Sequence, residues 1–235
     1  MSTRVTVVVP AHDEETLLPG ALAAVAAAAR HPDLAGVPVR TVVVADACRD
    51  RTAVLARSAA GATVLTTDCR NAGAARHEGV RHALDNWGGN LDDHWIATTD
   101  ADSTVPPGWL AHQLAQAGAG WEAVVGTVTL PPASPLAARH RALYEATRPA
   151  GGVAWHHPHV HGANLGVAAA AYVDAGGFPP LATGEDRALV AALELRGHRV
   201  LRSAHVPVLT SARLDARAPD GFGAFLASMP HPTTA

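Results

Sequence analysis

Short apolar runs rich in β-branched residues, separated by Ala- and Leu-rich stretches of helical length, are the feature that most restricts the fold. The runs lie at residues 5–9, 41–44, 62–66 and 95–99. Runs that are apolar on both faces and alternate with helices are typical of a parallel sheet covered on both sides. The pattern therefore predicts an α/β fold for the first half of the chain.

The remaining elements follow from helix and strand signals along the chain. We expect helices at residues 14–30, 51–59, 73–86, 107–117, 136–148 and from Glu185 to a stop at Gly197, and further strands at 122–130 and 199–203. No Ser/Gly-rich or charge-rich linker divides the 235 residues. A single domain over residues 1–228, followed by a frayed tail at 229–235, is the simplest organisation.

Composition restricts the partners and the compartment. A net charge of -3 and the absence of Lys give no basic surface for nucleic acid. The longest apolar stretch, residues 17–29, is too short to cross a bilayer, and the chain starts without a signal-peptide pattern. Two Cys make neither a disulfide framework nor a metal knuckle. We expect a soluble cytoplasmic protein without a transmembrane segment and without a nucleic-acid partner.

The loops after the first four strands are the expected ligand site, because ligands bind beyond the carboxyl ends of such strands. These loops are residues 10–15, 45–50, 67–76 and 100–103. The first loop contains no Gly, which excludes a Gly-x-Gly-x-x-Gly dinucleotide turn and a P-loop. In the second loop, Asp46 is placed to accept hydrogen bonds from a nucleobase or ribose, whereas Asp50 is better placed to cap the next helix.

The fourth loop carries the most specific chemistry, Asp100-Ala101-Asp102. In an extended segment, carboxylates two residues apart project to the same side and can converge on one hard cation. Mg²⁺ is usually held by one or two carboxylates together with substrate phosphates, and carboxylates suit Mn²⁺ as well. The tripeptide thus indicates a nucleotide-containing substrate, although alone it also fits an ordinary solvated loop.

Seven motifs in sequence order give the chain a resemblance to the family 2 glycosyltransferases, nucleotide-sugar enzymes of GT-A fold. They are VVPAHDEE at 8–15, VVVADACRDRT at 42–52, NAGAAR at 71–76, DAD at 100–102, GANLG at 162–166, GGF at 176–178 and ED at 185–186. The resemblance spans about residues 4–203. Two positions depart from the family: Ala45 replaces the first of an Asp pair, which leaves the base of the donor open, and Asp13 replaces a common Asn.

The resemblance implies a single GT-A-like domain with a mostly parallel central sheet flanked by helices. Residues 1–103 would bind the nucleotide sugar, and residues 104–228 would hold the acceptor and the catalytic groups. The implied donor contacts are Pro10, Ala11 and Glu14 at the nucleoside, Asp46 at the base, Arg76 near the ribose or phosphates, and Asp100 and Ala101 at the nucleotide. Asp102 would bind Mg²⁺ or Mn²⁺ through the donor diphosphate.

The acidic pair Glu185-Asp186 matches the motif from which the family draws its base. Inverting transfer needs a carboxylate within hydrogen-bond reach of the acceptor hydroxyl. The resemblance implies Asp186 as base and Glu185 as a neighbour that orients the acceptor. The structural alternative is that both residues complement the positive end of a helix, a role that can coexist with catalysis.

Three further assignments concern the second half of the chain. The segment His156-His157-Pro158-His159-Val160-His161 is interpreted as an acceptor loop in preference to a zinc site, which would need further ligands. His161, Gly162 and Asn164 would then face the acceptor or the donor sugar. His205, or else His161, would be a third metal ligand. Arg213 or Arg217 would bring a lid onto the diphosphate, the alternative being an ordinary basic surface loop.

Together these features predict a metal-dependent, inverting glycosyltransferase that moves one sugar from a UDP- or GDP-sugar to an unidentified acceptor hydroxyl. The Gln-x-x-Arg-Trp motif of processive relatives is absent, which favours single transfer. A nucleotidyltransferase is the enzyme alternative, but it would want a Gly-rich, basic first loop. The other alternative is a catalytically silent nucleotide-sugar-binding protein, against which Asp102 and Asp186 argue.

Overall fold

An eight-stranded sheet with helices on both faces forms the centre of the computed structural model, which describes residues 4–150, 155–214 and 221–229. The strands are β1 Arg4–Ala11, β2 Val39–Asp46, β3 Ala62–Thr67, β4 His94–Thr98, β5 Ser103–Thr104, β6 Ala123–Thr129, β7 Leu165–Ala168 and β8 Val200–Thr210. The helices are α1 Leu18–Ala29, α2 Thr52–Ser58, α3 Ala72–Trp87, α4 Trp109–Gly118, α5 Ala137–Glu145, α6 Ala169–Asp174, α7 Glu185–Leu195 and α8 Phe222–Ser228.

The strand order is β3-β2-β1-β4-β7-β6-β8-β5. The strands β3, β2, β1 and β4 pair in parallel, as does β6 with β8. The strand β7 is antiparallel to both β4 and β6, and β5 is antiparallel to β8. The mostly parallel α/β sheet expected from the sequence is confirmed, and it brings the carboxyl ends of β1 to β4 to one edge.

Apolar residues on both faces of the first strands explain this arrangement. In β1, Val5, Val7 and Val9 join a core that includes Leu18 of α1 and Trp109 of α4. The intervening residue Val8 joins a second core, on the opposite face, with residues of α3 and α7. Two separate cores on one sheet are the reason why the strands read as continuous apolar runs.

Several element bounds differ from the sequence expectation. The helix α1 begins at Leu18, since Pro19 suits a first helical turn and not a helix interior. The strand β8 continues to Thr210 across Pro207, because its register with β6 shifts there and a bulge tolerates a residue without an N–H. The two-residue β5 and the short helices α6 and α8 were not predicted.

Among residues 4–150, 155–214 and 221–229, no helix has the length and apolar composition needed to cross a membrane.

Candidate active site

Hydrogen bonds connect the loops that follow β1 and β2 at one edge of the sheet. The ring of His12 contacts the carbonyl of Asp46 at 2.7 Å, and Asp13 accepts a hydrogen bond from the backbone N–H of Arg49 at 2.6 Å. Asp13 has a φ of 49°, a left-handed conformation that Asn and Asp adopt more readily than most residues, so the change from Asn suits the backbone. The expected meeting of these loops is confirmed.

The two acidic residues of the second loop hold backbone in place. Asp46 is buried and accepts hydrogen bonds from Thr67 Oγ1, Cys69 N and Asn71 N at 3.0, 2.6 and 3.0 Å, which fixes the third loop. A contact of Asp46 with a nucleobase stays a prediction. The N-cap position of α2 is Arg51, which makes no side-chain capping bond, so Asp50 is not the N-cap residue. Asp50 lies one residue earlier and still accepts a hydrogen bond from the N–H of Thr52, the first residue of α2, at 2.9 Å.

The segment Asp100-Ala101-Asp102 forms a turn, so the expectation of an extended segment was wrong. The N–H of Ser103 donates to the carbonyl of Asp100 at 3.1 Å, which closes a turn. The turn directs Asp100 to Arg76 and Asp102 to Arg213. Ala101 is buried in the core, so the structure does not support a contact between its side chain and a nucleotide.

Arg76, on α3, is buried and forms ion pairs with Asp100 and Glu185. Gly162 makes room for it, since a Cβ at this position would lie 2.5 Å from an Arg76 nitrogen. Gly73, one turn earlier on α3, allows a similarly close approach of Glu185. The predicted contact of Arg76 with the ribose or phosphates is not supported, because its guanidinium is held between two carboxylates. Arg76 instead connects the Asp100 turn with α7.

Arg213 lies where Glu14 and Asp102 meet. Its Nη2 is 2.5 Å from Glu14 Oε1 and 2.8 Å from Asp102 Oδ2, and its Nη1 is 3.1 Å from Glu14 Oε2. Burial raises the pKa of Asp102, and the neighbouring Asp100 and Glu14 raise it further, whereas Arg213 lowers it. Arg213 thus lies beside Asp102, and its predicted contact with a donor diphosphate stays a prediction. Arg217, the alternative residue, lies outside the described residues.

The remaining nucleoside positions lie at the same edge. Pro10 and Ala11 are the last residues of β1, and they pair in register with Val44 and Ala45 of β2. Ala11 is buried and Pro10 is partly exposed. Their predicted place beside a nucleoside is compatible with this edge and stays a prediction.

Asp186 lies in the first turn of α7, next to Gly162. Its Oδ2 accepts from the N–H of Gly162 at 2.8 Å, and its Oδ1 accepts from the N–H of Arg187 at 2.7 Å. Gly162 is held from the other side as well, because Thr98 Oγ1 donates to its carbonyl at 2.7 Å. A carboxylate has about four lone-pair sites, so Asp186 keeps acceptor capacity for a further hydroxyl group.

Asn164 is not available to a sugar, contrary to the sequence expectation. It is buried, its Nδ2 donates to the carbonyls of Thr127 and Val206 at 2.9 Å each, and its Oδ1 accepts from Trp109 Nε1 at 2.9 Å. Both amide hydrogens are thus used inside the protein. Asn164 ties β6, β8 and α4 together, a role that needs contacts between distant segments and gives no local sequence signal.

The structure does not support either histidine as a third metal ligand. His205 is exposed on the bulged part of β8, with its ring 6.1 Å from that of His112, and the Nε2 of His161 is hydrogen-bonded to the Tyr144 hydroxyl. Within the described ranges, the only group of three or more His, Cys, Asp or Glu side chains with ligand atoms within 4.8 Å of one another is Asp13, Cys48 and Asp50.

Four aromatic rings form a stack beside Gly162, which we call the histidine stack: Tyr144, His157, His159 and His161. The ring of Tyr144 lies 3.7 Å from that of His159 at an angle of 11°, and His159 is stacked with both other histidines. Burial lowers the pKa of all three histidines, that of His159 to about 4 and that of His161 to about 3. The stack is therefore neutral at pH 7. Within the described residues its imidazole nitrogens do not form a group of three ligand atoms within 4.8 Å of one another, so the structure does not support the zinc alternative.

The histidine stack predicts that the protein loses stability in weak acid. In the unfolded chain these histidines take up protons below pH 6.5. In the folded protein, His159 stays neutral down to about pH 4. The unfolded state then binds more protons, so the free energy of unfolding falls as the pH is lowered from 6.5 to 4. Urea unfolding at pH 7.5, 6 and 5 measures this. His159→Phe should reduce the pH dependence and exposed His156→Gln should not; equal slopes in all three proteins would contradict the prediction.

Comparisons with known proteins agree with this architecture. The family model described as Glycosyl transferase family 2 matches residues 6–170. The Pyrobaculum calidifontis mannosyltransferase PcManGT, solved with GDP-Man and Mn²⁺, is 24% identical with a TM-score of 0.66 over 87% of this chain and 56% of that one. S. aureus TarS is 15% identical with a TM-score of 0.63 over 90% of this chain and 61% of that one. M. tuberculosis glucosyl-3-phosphoglycerate synthase is 18% identical with a TM-score of 0.53 over 88% and 70%, respectively.

The identity and the extent of each match determine what it shows. At such identities the solved structures show a shared fold, and the chain spans only 56–61% of the length of PcManGT and TarS. A search of the curated proteins finds no significant match. The family match ends at residue 170, so Glu185, Asp186 and Arg213 lie beyond it.

Proposed function

Because the chain belongs to glycosyl transferase family 2, we propose that it is an inverting, metal-dependent glycosyltransferase that moves one sugar from a nucleoside diphosphate sugar to an acceptor hydroxyl. In this proposal residues 1–103 bind the donor, and residues 104–228 supply the acceptor site and the base. The GDP-Man bound by PcManGT and the UDP-GlcNAc bound by TarS support GDP- and UDP-sugars as the first donors to test. The acceptor is not identified.

The observation that carries the proposal is the meeting of Glu14 and Asp102 around one cationic nitrogen. Arg213 Nη2 lies 2.5 Å from a Glu14 oxygen and 2.8 Å from an Asp102 oxygen, so two hard oxygen donors already surround one positively charged point. Such donors fit Mg²⁺ or Mn²⁺, with Asp102 as the proposed ligand. A bound divalent ion would neutralise charge on the departing diphosphate. An anionic diphosphate needs such a cation beside these carboxylates.

Asp186 is the proposed base. The two backbone N–H groups hold its carboxylate at the start of α7, and it keeps acceptor capacity for the acceptor hydroxyl. As the acceptor oxygen attacks the anomeric carbon, Asp186 takes the hydroxyl proton, and the bond to the diphosphate breaks with its electron pair. Attack opposite the leaving group inverts the anomeric configuration. Arg76 joins Asp100 on the donor side to Glu185 beside the base, and thus holds the two halves in register.

The test is thermal unfolding with UDP-Glc, UDP-GlcNAc, GDP-Man and a dTDP-sugar, each with and without Mn²⁺. A cognate donor at about 100 times its Kd should raise the Tm by roughly 5–10 °C, and only when Mn²⁺ is present. Asp102→Asn is the matched control and should abolish this shift. If no nucleotide sugar shifts the Tm, or if Mn²⁺ and Asp102 make no difference, the proposal is wrong.

A further inference from the structure

Arg213 lies beside Glu14 and Asp102 because it follows the end of β8, which is paired next to Asp102. The strand ends at Thr210, which pairs with Ser103 in β5, and the two side chains share a hydrogen bond of 2.9 Å. Asp102 directly precedes Ser103, and Arg213 follows Thr210 by three residues. The register of a single strand pair therefore sets the guanidinium over the proposed metal ligand.

Arg213 is the most accessible member of this cluster. Its side chain is 34% exposed, compared with 19% for Asp102 and 7% for Glu14. The backbone N–H of Glu14 is bonded to Thr52 Oγ1 at 2.6 Å, which fixes the first loop. Rotation of the Arg213 side chain towards solvent would uncover both carboxylates, with no change in the backbone that carries them.

A metal ion and the guanidinium would be held by the same two carboxylates. Each carboxylate has lone pairs for more than one partner, but a divalent ion on Asp102 or Glu14 would lie directly beside the guanidinium, whose nitrogen is 2.5 and 2.8 Å from their oxygens. Repulsion between the two cations in this partly buried site therefore favours displacement of the guanidinium when the metal binds. A nucleoside diphosphate offers the displaced guanidinium a new partner, since Arg binds phosphate through two parallel hydrogen bonds.

We propose that Arg213 is a built-in counter-ion that competes with the divalent metal for Asp102 and Glu14, and that it transfers to the diphosphate when the metal–nucleotide complex binds. This inference rests on the proposed function of the same site. It makes Arg213 a positioning residue that couples the two ligands: the metal binds weakly alone and more tightly when a nucleotide accepts the guanidinium, and the coupling is reciprocal.

The test is direct Mn²⁺ binding to the nucleotide-free protein, by titration calorimetry or by the EPR signal of free Mn²⁺. Arg213→Gln should lower the Kd for Mn²⁺ alone at least about tenfold, because the metal no longer has to displace the charge-assisted hydrogen bonds of the guanidinium. It should also reduce the gain in Mn²⁺ affinity that UDP or GDP produces. Arg213→Lys, which keeps the charge but lacks the forked guanidinium, should have a Kd for Mn²⁺ between those of Arg213→Gln and the unmodified protein. Arg81→Gln is the matched control, because Arg81 also contacts two carboxylates, on an exposed face of α3, and it should bind Mn²⁺ as the unmodified protein does.

The outcomes separate this inference from the function on which it rests. If Asp102→Asn abolishes Mn²⁺ binding while Arg213→Gln and Arg213→Lys leave the Kd and its dependence on nucleotide unchanged, the counter-ion role is wrong and the metal site stands. If no protein binds Mn²⁺, with or without UDP or GDP, both the metal-dependent function and the inference are overturned. A thermal unfolding curve for each variant, taken with and without Mn²⁺, verifies that it is folded.

Discussion

Asp186→Asn is expected to lower the rate of sugar transfer by about 10²- to 10⁴-fold, the usual contribution of a positioned general base. The substitution keeps the shape of the side chain and an oxygen that can accept the hydrogen bond from Gly162. It removes the group that would take the acceptor proton. Donor binding should change little, since Asp102 and Glu14 are untouched. The measurement is the initial rate of transfer, with donor affinity obtained separately from the thermal shift.

The controls for this experiment are two other acidic residues. Asp174→Asn changes a half-exposed carboxylate at the end of α6 that pairs with Arg196 and His198, and it should leave the rate unchanged. Glu185→Gln tests the neighbouring carboxylate, which is paired with Arg76. A rate within threefold of the unmodified protein for Asp186→Asn, together with a large loss for Glu185→Gln, would transfer the role of base to Glu185.

The sheet and its loops could be predicted from the sequence because their signals are local. The continuous apolar run around Val8 indicates burial on two faces, and Asp50 stands two residues before Thr52, the first residue of α2, whose N–H it binds. The start of α7 at Glu185 and its stop at Gly197, which has a φ of +83°, follow from acidic residues and a Gly at the helix ends. Each of these features depends on neighbours in the chain.

The contacts within the candidate site could not be predicted, because they join segments far apart in sequence. Arg213 meets Glu14 across 199 residues, and Arg76 meets Glu185 across 109. The turn closed by the hydrogen bond from Ser103 to Asp100 separates the arginine partners of Asp100 and Asp102, and the residue types of the segment do not indicate it. The motifs therefore identified the acidic residues of the candidate site, whereas the arginines that pair with them could be identified only from the folded structure.

Arg76→Met is expected to lower the free energy of unfolding by about 3–5 kcal/mol, because it leaves a buried carboxylate without its partner. Glu185 is 8% exposed, and burial raises its pKa, an effect that Arg76 opposes. Without Arg76 the pKa of Glu185 should rise further, so the folded variant binds a proton more readily than the unfolded chain. Its stability should then increase as the pH is lowered, and the loss should be smaller at pH 5 than at pH 8. Urea unfolding at the two pH values measures both effects.

A second substitution separates the loss of the ion pair from the loss of packing. In Arg76→Met/Glu185→Met the unpaired buried charge is removed, so most of the lost stability should return, while Asp100, whose side chain is 34% exposed, can be hydrated. Arg81→Met, on the exposed face of the same helix, controls for the effect of Met in α3 and should cost little. If the double variant is as unstable as Arg76→Met and its loss is independent of pH, the buried charge of Glu185 is not the cause, and the space beneath Gly162 that Arg76 fills would explain the destabilisation instead.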